Sequence, residues 1–255
     1  MTNHEYLTQL LDGQDLSTEQ IATLQRCRDS VETQVGQLNG NPRFYYAGSY
    51  GKKTMIADSF DLDLVAYWPS ECPYTLKDIF EAVGAALQQK WKSASPKTVA
   101  WTISFQGGFH IDVVPGRALD KAYKEANLYR SDKDCPMKTS IKVHIDTVRD
   151  SGRRDAIRLM KLWKTRNGVP WKKSLALELM TIEALKGTST TDLEQQLLKV
   201  FAHVRDTIER VRIVDPANSN NVVSEELSKS DRQAIKAAAI AAIAARMWSE
   251  VFRVS

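Results

Sequence analysis

Asp61 and Asp63 stand on either side of one leucine in the run SFDLDLV. In an extended chain alternate side chains share a face, so the two carboxylates are aimed at one point while Leu62 and Leu64 turn the other way. Two carboxylates about 4 Å apart at an effective dielectric near 20 repel by ~4 kcal/mol, a cost that a divalent cation removes. Hard oxygen donors select Mg²⁺ or Mn²⁺ over zinc. A third carboxylate, Asp112, lies in the apolar run FHIDVVPG, where an unpaired charge is costly unless it has a task. Three carboxylates can hold two ions. That suits phosphoryl transfer, with one ion lowering the pKa of an attacking hydroxyl and the other neutralising a triphosphate and its leaving pyrophosphate. Asp112 would serve the attacking side.

Just upstream, GSYGKKT offers Gly48, whose missing side chain lets backbone approach a phosphate, and Ser49, whose hydroxyl can donate to phosphate oxygens. Lys52 and Lys53 in the same turn can meet phosphate or solvent. A lone Asp-x-Asp is common on exposed strand edges, a lone Gly-Ser is weaker still, and Asp112 alone could cap a turn. The combination, in this order and on strands of this type, is what points to a metal-dependent site.

The elements that must position these residues are legible as periodicities. LSTEQIATLQRCRDSVETQVGQL reads as an amphipathic helix opened by a Ser17/Gln20 capping box and ending near Asn39-Gly40. After Pro42 come strand-like runs RFYYAG, DLDLVAYW, KTVAWTISF and FHIDVVPG, with the helical TLKDIFEAVGAALQQKW between the second and third. From about Ser140 the chain is almost entirely helical in pattern, through IKVHIDTVRD, DAIRLMKLWKTR, KSLALELMTIEALK, DLEQQLLKVFAHVRDTIERV and DRQAIKAAAIAAIAARMWSEVF. The expectation is an α+β fold: a mixed-sheet catalytic domain over residues 1–145, with its N-terminal helix, then a helical domain over 146–255 that closes a nucleotide cleft.

Composition permits this reading without making it. The 255 residues suffice for one large domain or two ordinary ones, and the net charge of +4 from 35 basic and 31 acidic residues suits a polyphosphate cleft. No apolar run approaches the roughly 20 residues of a membrane helix, and MTNHEYLTQLLDGQD lacks the regions of a signal peptide, so a cytoplasmic protein with no membrane partner is expected. Cys27, Cys72 and Cys135 have no metal or disulfide spacing and read as ordinary thiols.

GSYGKKT, DLDLV and FHIDVVPG together resemble the DNA polymerase β-like nucleotidyltransferase superfamily. RLMKLWK at 158–164, VPWKKSLALELM at 169–180 and IVDPANSNNV at 213–222 are similar in order and spacing to the branch of animal oligoadenylate synthases and bacterial cGAS-DncV-like nucleotidyltransferases, or CD-NTases. The resemblance spans most of the chain. It implies a polymerase β-like core, nucleoside triphosphate substrates with ATP among them, two Mg²⁺ or Mn²⁺ ions, and a cyclic di- or trinucleotide product in antiphage (CBASS-like) defence. It also makes Lys161 the candidate for reaching the donor triphosphate and puts Lys173 or Ser174 where a polar residue faces the nucleotide. Leu175 stands where relatives often carry an aromatic residue. A lysine facing phosphates would neutralise charge released with pyrophosphate, although Arg158, Lys161 and Lys164 also read as a solvated helix face.

Other residues read as structural. DPANSNN is a turn in which Asp215, Asn220 and Asn221 satisfy local backbone. His110 shares strand parity with Asp112 and reads as packed at the cleft edge. Tyr50, Tyr129, Trp163 and Trp171 are either base-stacking platforms or core. A linear 2′–5′ oligoadenylate synthase and a terminal transferase acting on RNA use the same chemistry. With no appended domain or dense basic stripe, small nucleotides are expected rather than a long nucleic acid. A regulatory or effector protein is a further expected partner, and a non-catalytic nucleotide or nucleic-acid sensor is the reading from a different class.

Overall fold

The computed structural model describes residues 1–106 and 108–253. Its helices are α1 (Asn3–Asp12), α2 (Thr18–Gly36), α3 (Gly48–Lys52), α4 (Leu76–Lys90), α5 (Ile141–Ser151), α6 (Arg154–Arg166), α7 (Ser174–Ala184), α8 (Leu193–Thr207), α9 (Lys229–Ala244) and α10 (Trp248–Val251). The strands are β1 (Arg43–Tyr46), β2 (Leu62–Trp68), β3 (Ser95–Pro96), β4 (Trp101–Ser104), β5 (His110–Ala118), β6 (Ala126–Arg130), β7 (Cys135–Thr139), β8 (Val214–Asp215) and β9 (Asn218–Val222). Contacts group the chain into two compact units.

The sheet unit comprises 16–53 and 60–145. Its strand order is β1-β2-β5-β4-β3, with β6 paired to β5 and carrying β7. Among the described residues only β2 and β5 pair in parallel and the other pairs are antiparallel, giving the mixed sheet expected from the sequence. Alternation along the two central strands decides what each face does. Leu62, Leu64, Ile111 and Val113 turn to a core shared with Leu24, Val31 and Val35 of α2 and Ile79, Phe80, Val83 and Leu87 of α4. Val65, Tyr67 and Val114, of the opposite parity, pack with Leu128 and Ile141 in a smaller apolar cluster. The capping box that opens α2 forms as its sequence suggests: Gln20 N–H donates to Ser17 Oγ at 3.1 Å and Ser17 N–H to Gln20 Oε1 at 2.8 Å. In α4 the absence of a side chain at Gly84 makes room for the Trp101 ring, 2.0 Å from where a Cβ would lie.

The helical unit comprises 1–15, 54–59 and 146–255. Sequence grouping put the N-terminal segment with the sheet. Instead Leu7 and Leu11 of α1 are buried in the helical core beside Met160, Trp163, Leu177, Phe201 and Phe252, because that core is where a matching apolar surface exists. The segment Thr54–Ser59 belongs here too, with Ile56 in the same core. The chain therefore leaves the sheet unit after Lys53 and re-enters it at Phe60. Asp215, the last residue of β8 in a β8–β9 hairpin that the sequence suggested only as a turn, accepts from Ala217 N–H at 2.8 Å and Asn221 Nδ2 at 2.9 Å. Among the described residues no helix is long and apolar enough to cross a membrane.

Candidate active site

The parallel ladder between β2 and β5 puts Asp63 directly opposite Asp112. Both carboxylates thus sit on one face, at the start of the two strands. Asp61 lies one residue before β2, outside the ladder, with the parity of Asp63. Beside them Ala47 N–H donates to Asp63 O at 2.9 Å, which ties the Gly-Ser turn to the strand. Gly48 follows with φ +53°, and a Cβ there would lie 1.6 Å from Asp63 Oδ2. Glycine at 48 is therefore required twice, by the backbone and by the carboxylate that fills the side-chain space. Ser49 is half-buried in the first turn of α3, and Lys52 closes that helix, itself buried.

The electrostatics reflect three crowded acids. Burial first, and then the charge of Asp112 and of Asp61, push Asp63 up to about 6, against the opposing pull of Lys52 and Lys97. Lys97 Nζ forks both oxygens of Asp112, at 2.8 and 2.7 Å. His110 Nδ1 stands 2.7 Å from Asp61 Oδ1, and its Nε2 is 3.8 Å from Asp112 Oδ1. The hydrogen bond to Asp61 raises the imidazole's pKa, burial opposes it, and the charges of Asp61 and Asp112 add to the rise.

Neither partner was legible as such in the sequence. His110 stands against the aspartates, with Nδ1 2.7 Å from Asp61 Oδ1, rather than as a packed edge residue. Lys97 gave no signal at all, because its approach depends on the β3–β4 hairpin bringing it alongside Asp112.

A divalent ion fits this donor set in chemistry: three hard oxygen side chains, one of them, Asp63, holding its proton more tightly than normal because burial, and after it the neighbouring carboxylates, penalise its charged form. As the side chains stand, no three His, Cys, Asp or Glu groups among the described residues converge closely enough to hold a metal. The reason is local. Asp61 is engaged by His110, and both oxygens of Asp112 by Lys97.

The candidates from the helical half are placed differently. Lys161 was expected to face phosphate; it is 6 % exposed, and its Nζ lies 2.6 Å from Oε1 of the fully buried Glu178 and donates to Thr54 Oγ1 at 2.8 Å. Leaving that pair to reach a phosphate would strand a buried carboxylate, which costs several kcal/mol. Lys173 caps the start of α7 and pairs with Glu226 at the surface, and Ser174 is exposed in the first turn of the same helix. Trp163 and Trp171 are core residues, and Tyr129 is buried with its hydroxyl donating to Asp134 at 2.5 Å. Tyr50 remains exposed, edge-on to Tyr46.

The fold, a mixed sheet followed in sequence by helices, is similar to that of solved CD-NTase structures. The chain is similar over 99 % of its length to CdnC of Escherichia coli MS115-1, solved with ATP, covering 98 % of that chain at 21 % identity and a TM-score of 0.76. The same CdnC in complex with HORMA-deltaN gives 98 % and 97 % coverage, 21 % identity and a TM-score of 0.75. The Vibrio cholerae DncV cyclic AMP-GMP synthase, solved with a linear intermediate, matches over 95 % of this chain and 90 % of its own at 16 % identity and a TM-score of 0.76. No family profile matches the chain, and no curated protein matches it in sequence. At these identities the likeness is one of fold.

Proposed function

We propose that this protein is a metal-dependent nucleotidyltransferase that joins nucleoside triphosphates into a cyclic di- or trinucleotide messenger, as part of a CBASS-like antiphage response. The observation that carries the reading is Asp63 held opposite Asp112 and against Gly48, on a fold shared with structures that hold ATP and a linear intermediate.

In this reading Asp61 and Asp63 are the shared ligands of two Mg²⁺ or Mn²⁺ ions, and Asp112 is the ligand on the acceptor side. Bound there, the ions would acidify the attacking ribose hydroxyl and neutralise the triphosphate. The chain's own part is positional. Gly48 leaves room for phosphate beside Asp63, Ser49 donates its hydroxyl to a phosphate oxygen, and the buried Lys52 offsets negative charge next to Asp63. Lys97 and His110 hold Asp112 and Asp61 until ligands replace them. Lys161 enters as an interior support of the helical unit. Lys173 and Ser174 are the surface groups of that unit assigned to the nucleotide. A regulatory or effector protein partner belongs to the same reading, supported by the HORMA complex of CdnC.

The test is to incubate the purified protein with all four labelled nucleoside triphosphates and Mg²⁺ or Mn²⁺, treat the products with phosphatase, and weigh them. A phosphatase-resistant product without free ends is expected. Linear 2′–5′ chains would replace the cyclic reading, and incorporation only on added RNA would end it. Synthesis undiminished in Asp61→Asn/Asp63→Asn would refute the metal assignment.

A further inference from the structure

Asp63 and Asp112 are fixed by ladder register, but Asp61 precedes β2, and the parallel ladder begins only at Leu62 and Ile111. Continuing that register outward by one step sets Asp61 against His110, and by two steps Phe60 against Phe109. Both pairs meet through their side chains. Asp61 Oδ1 lies 2.7 Å from His110 Nδ1 and accepts from the His110 main-chain N–H at 3.4 Å. The Phe60 ring stacks on Phe109 with centroids 5.5 Å apart and planes 19° from parallel.

Strand parity puts the two pairs on opposite faces of the sheet. Phe60 and Phe109 follow Leu62 and Ile111 toward the core lined by α2 and α4, whereas Asp61 follows Asp63. Of the two rings, Phe109 is the firmer. It is 4 % exposed, Phe105 stacks on it at 5.3 Å, and Phe105 N–H donates to Phe109 O at 3.0 Å, which holds its backbone to the end of β4. Phe105 in turn meets Trp91 edge-on at 6.2 Å. The chain entering β2 is thus seated on an aromatic column already fixed by the β4–β5 hairpin and α4.

We infer that Phe109 is a positioning residue for Asp61: its ring, stacked between Phe60 and Phe105, extends the strand register past the ladder and so sets where a metal-ligating carboxylate stands. The inference rests on the proposed function in taking Asp61 as a ligand. All the residues involved belong to the sheet unit. Phe109 acts from the apolar face, 48 residues along the chain from Asp61, so its influence travels through packing rather than through adjacent backbone. Groups that support a metal ligand commonly govern metal affinity by about tenfold or more.

The test is a double-mutant cycle on binding of Mn²⁺ alone, read from the electron paramagnetic resonance signal of the free ion, with circular dichroism confirming the fold. Phe109→Leu is expected to weaken Mn²⁺ binding about tenfold in the wild-type background and by less than about twofold in Asp61→Ala, where no carboxylate is left to position. General loosening would lower affinity equally in both backgrounds. Equal losses, or none in either, overturn the inference. Because His110 adjoins Phe109, the single substitution is repeated in His110→Gln: a loss that persists assigns the effect to the stack, and one that vanishes assigns it to the imidazole and overturns the inference. Should Phe109→Leu unfold, Phe109→Met serves in the same cycle, since it keeps more of the volume while giving up the ring. Coupling to Asp61 in a protein that makes no nucleotide product would leave the inference standing and remove the proposed function. Product formation without coupling would do the reverse.

Discussion

Asp63 Oδ2 occupies the space that a side chain at residue 48 would fill, 1.6 Å from the position of the absent Cβ. The Gly-Ser turn and the aspartate strand are thereby locked to each other.

Gly48→Ala should therefore disable the site. The methyl group meets the carboxylate, and φ +53° is strained for any residue with a Cβ. Loss of about 100-fold or more in nucleotide incorporation is expected, with a stability loss of about 1–3 kcal/mol by denaturant unfolding. Full activity would show that Asp63 can swing away without consequence.

Metal-free protein should lose stability as pH rises from 4 to 6. Asp63 has its folded-state pKa raised from 3.8 to about 6, so between those values the native state binds more protons than the unfolded chain, and stability falls as pH increases. The contribution is about 3 kcal/mol across the window. Urea unfolding in chelator, compared with Asp63→Asn, isolates it: the difference between the two proteins should change with pH in that window and level off above it. Metal binding reverses the balance, because the ion displaces the proton, so Mn²⁺ affinity should climb steeply with pH below 6 and flatten above.

Lys97→Gln removes the fork on Asp112. Lys97 competes with a metal for those oxygens, so the variant should bind Mn²⁺ about three- to tenfold more tightly while its metal-free form loses roughly 0.5–1 kcal/mol, the scale of a partly exposed pair. Weaker Mn²⁺ binding would instead make Lys97 a support for the ligand geometry.

Lys161→Met alone should cost about 3–5 kcal/mol by leaving the Glu178 carboxylate buried without its cation. Lys161→Met with Glu178→Met should recover most of that, since two apolar side chains need no partner. Thermal unfolding of the three proteins decides it. A single variant of wild-type stability, with activity lost, would return Lys161 to the triphosphate.

What sequence could deliver depended on distance along the chain. The Ser17/Gln20 capping box, the α4 stripe and the alternation of Leu62, Asp63 and Leu64 are local signals and appear in the structure as read. The mixed sheet followed by helices came from the same periodicities. Helix α1 was overlooked because only Leu7 and Leu11 are fully buried in an otherwise polar segment. The β6–β7 hairpin hid behind the polar stretch RSDKDC and Pro136.

Pairing is where the sequence ran out. It supplied Asp63 and Asp112 but not their register, Lys161 but not Glu178, and nothing that would join Gln14, Asp58 and Arg166. Each of those contacts is made by tertiary packing, which no periodic pattern encodes.

The excursion of residues 54–59 into the helical unit has a temporal side. During synthesis Thr54, Met55 and Asp58 emerge early, but Lys161, Arg158 and Arg166, which hold them, follow 107, 103 and 108 residues later. The sheet can form while the ribosome is still reading the second half, since domains fold largely in the order they appear. The partners that α6 supplies to residues 54–59 do not exist until that helix has been made. A nascent chain that stops short of α6 would therefore carry Thr54, Met55 and Asp58 without these partners.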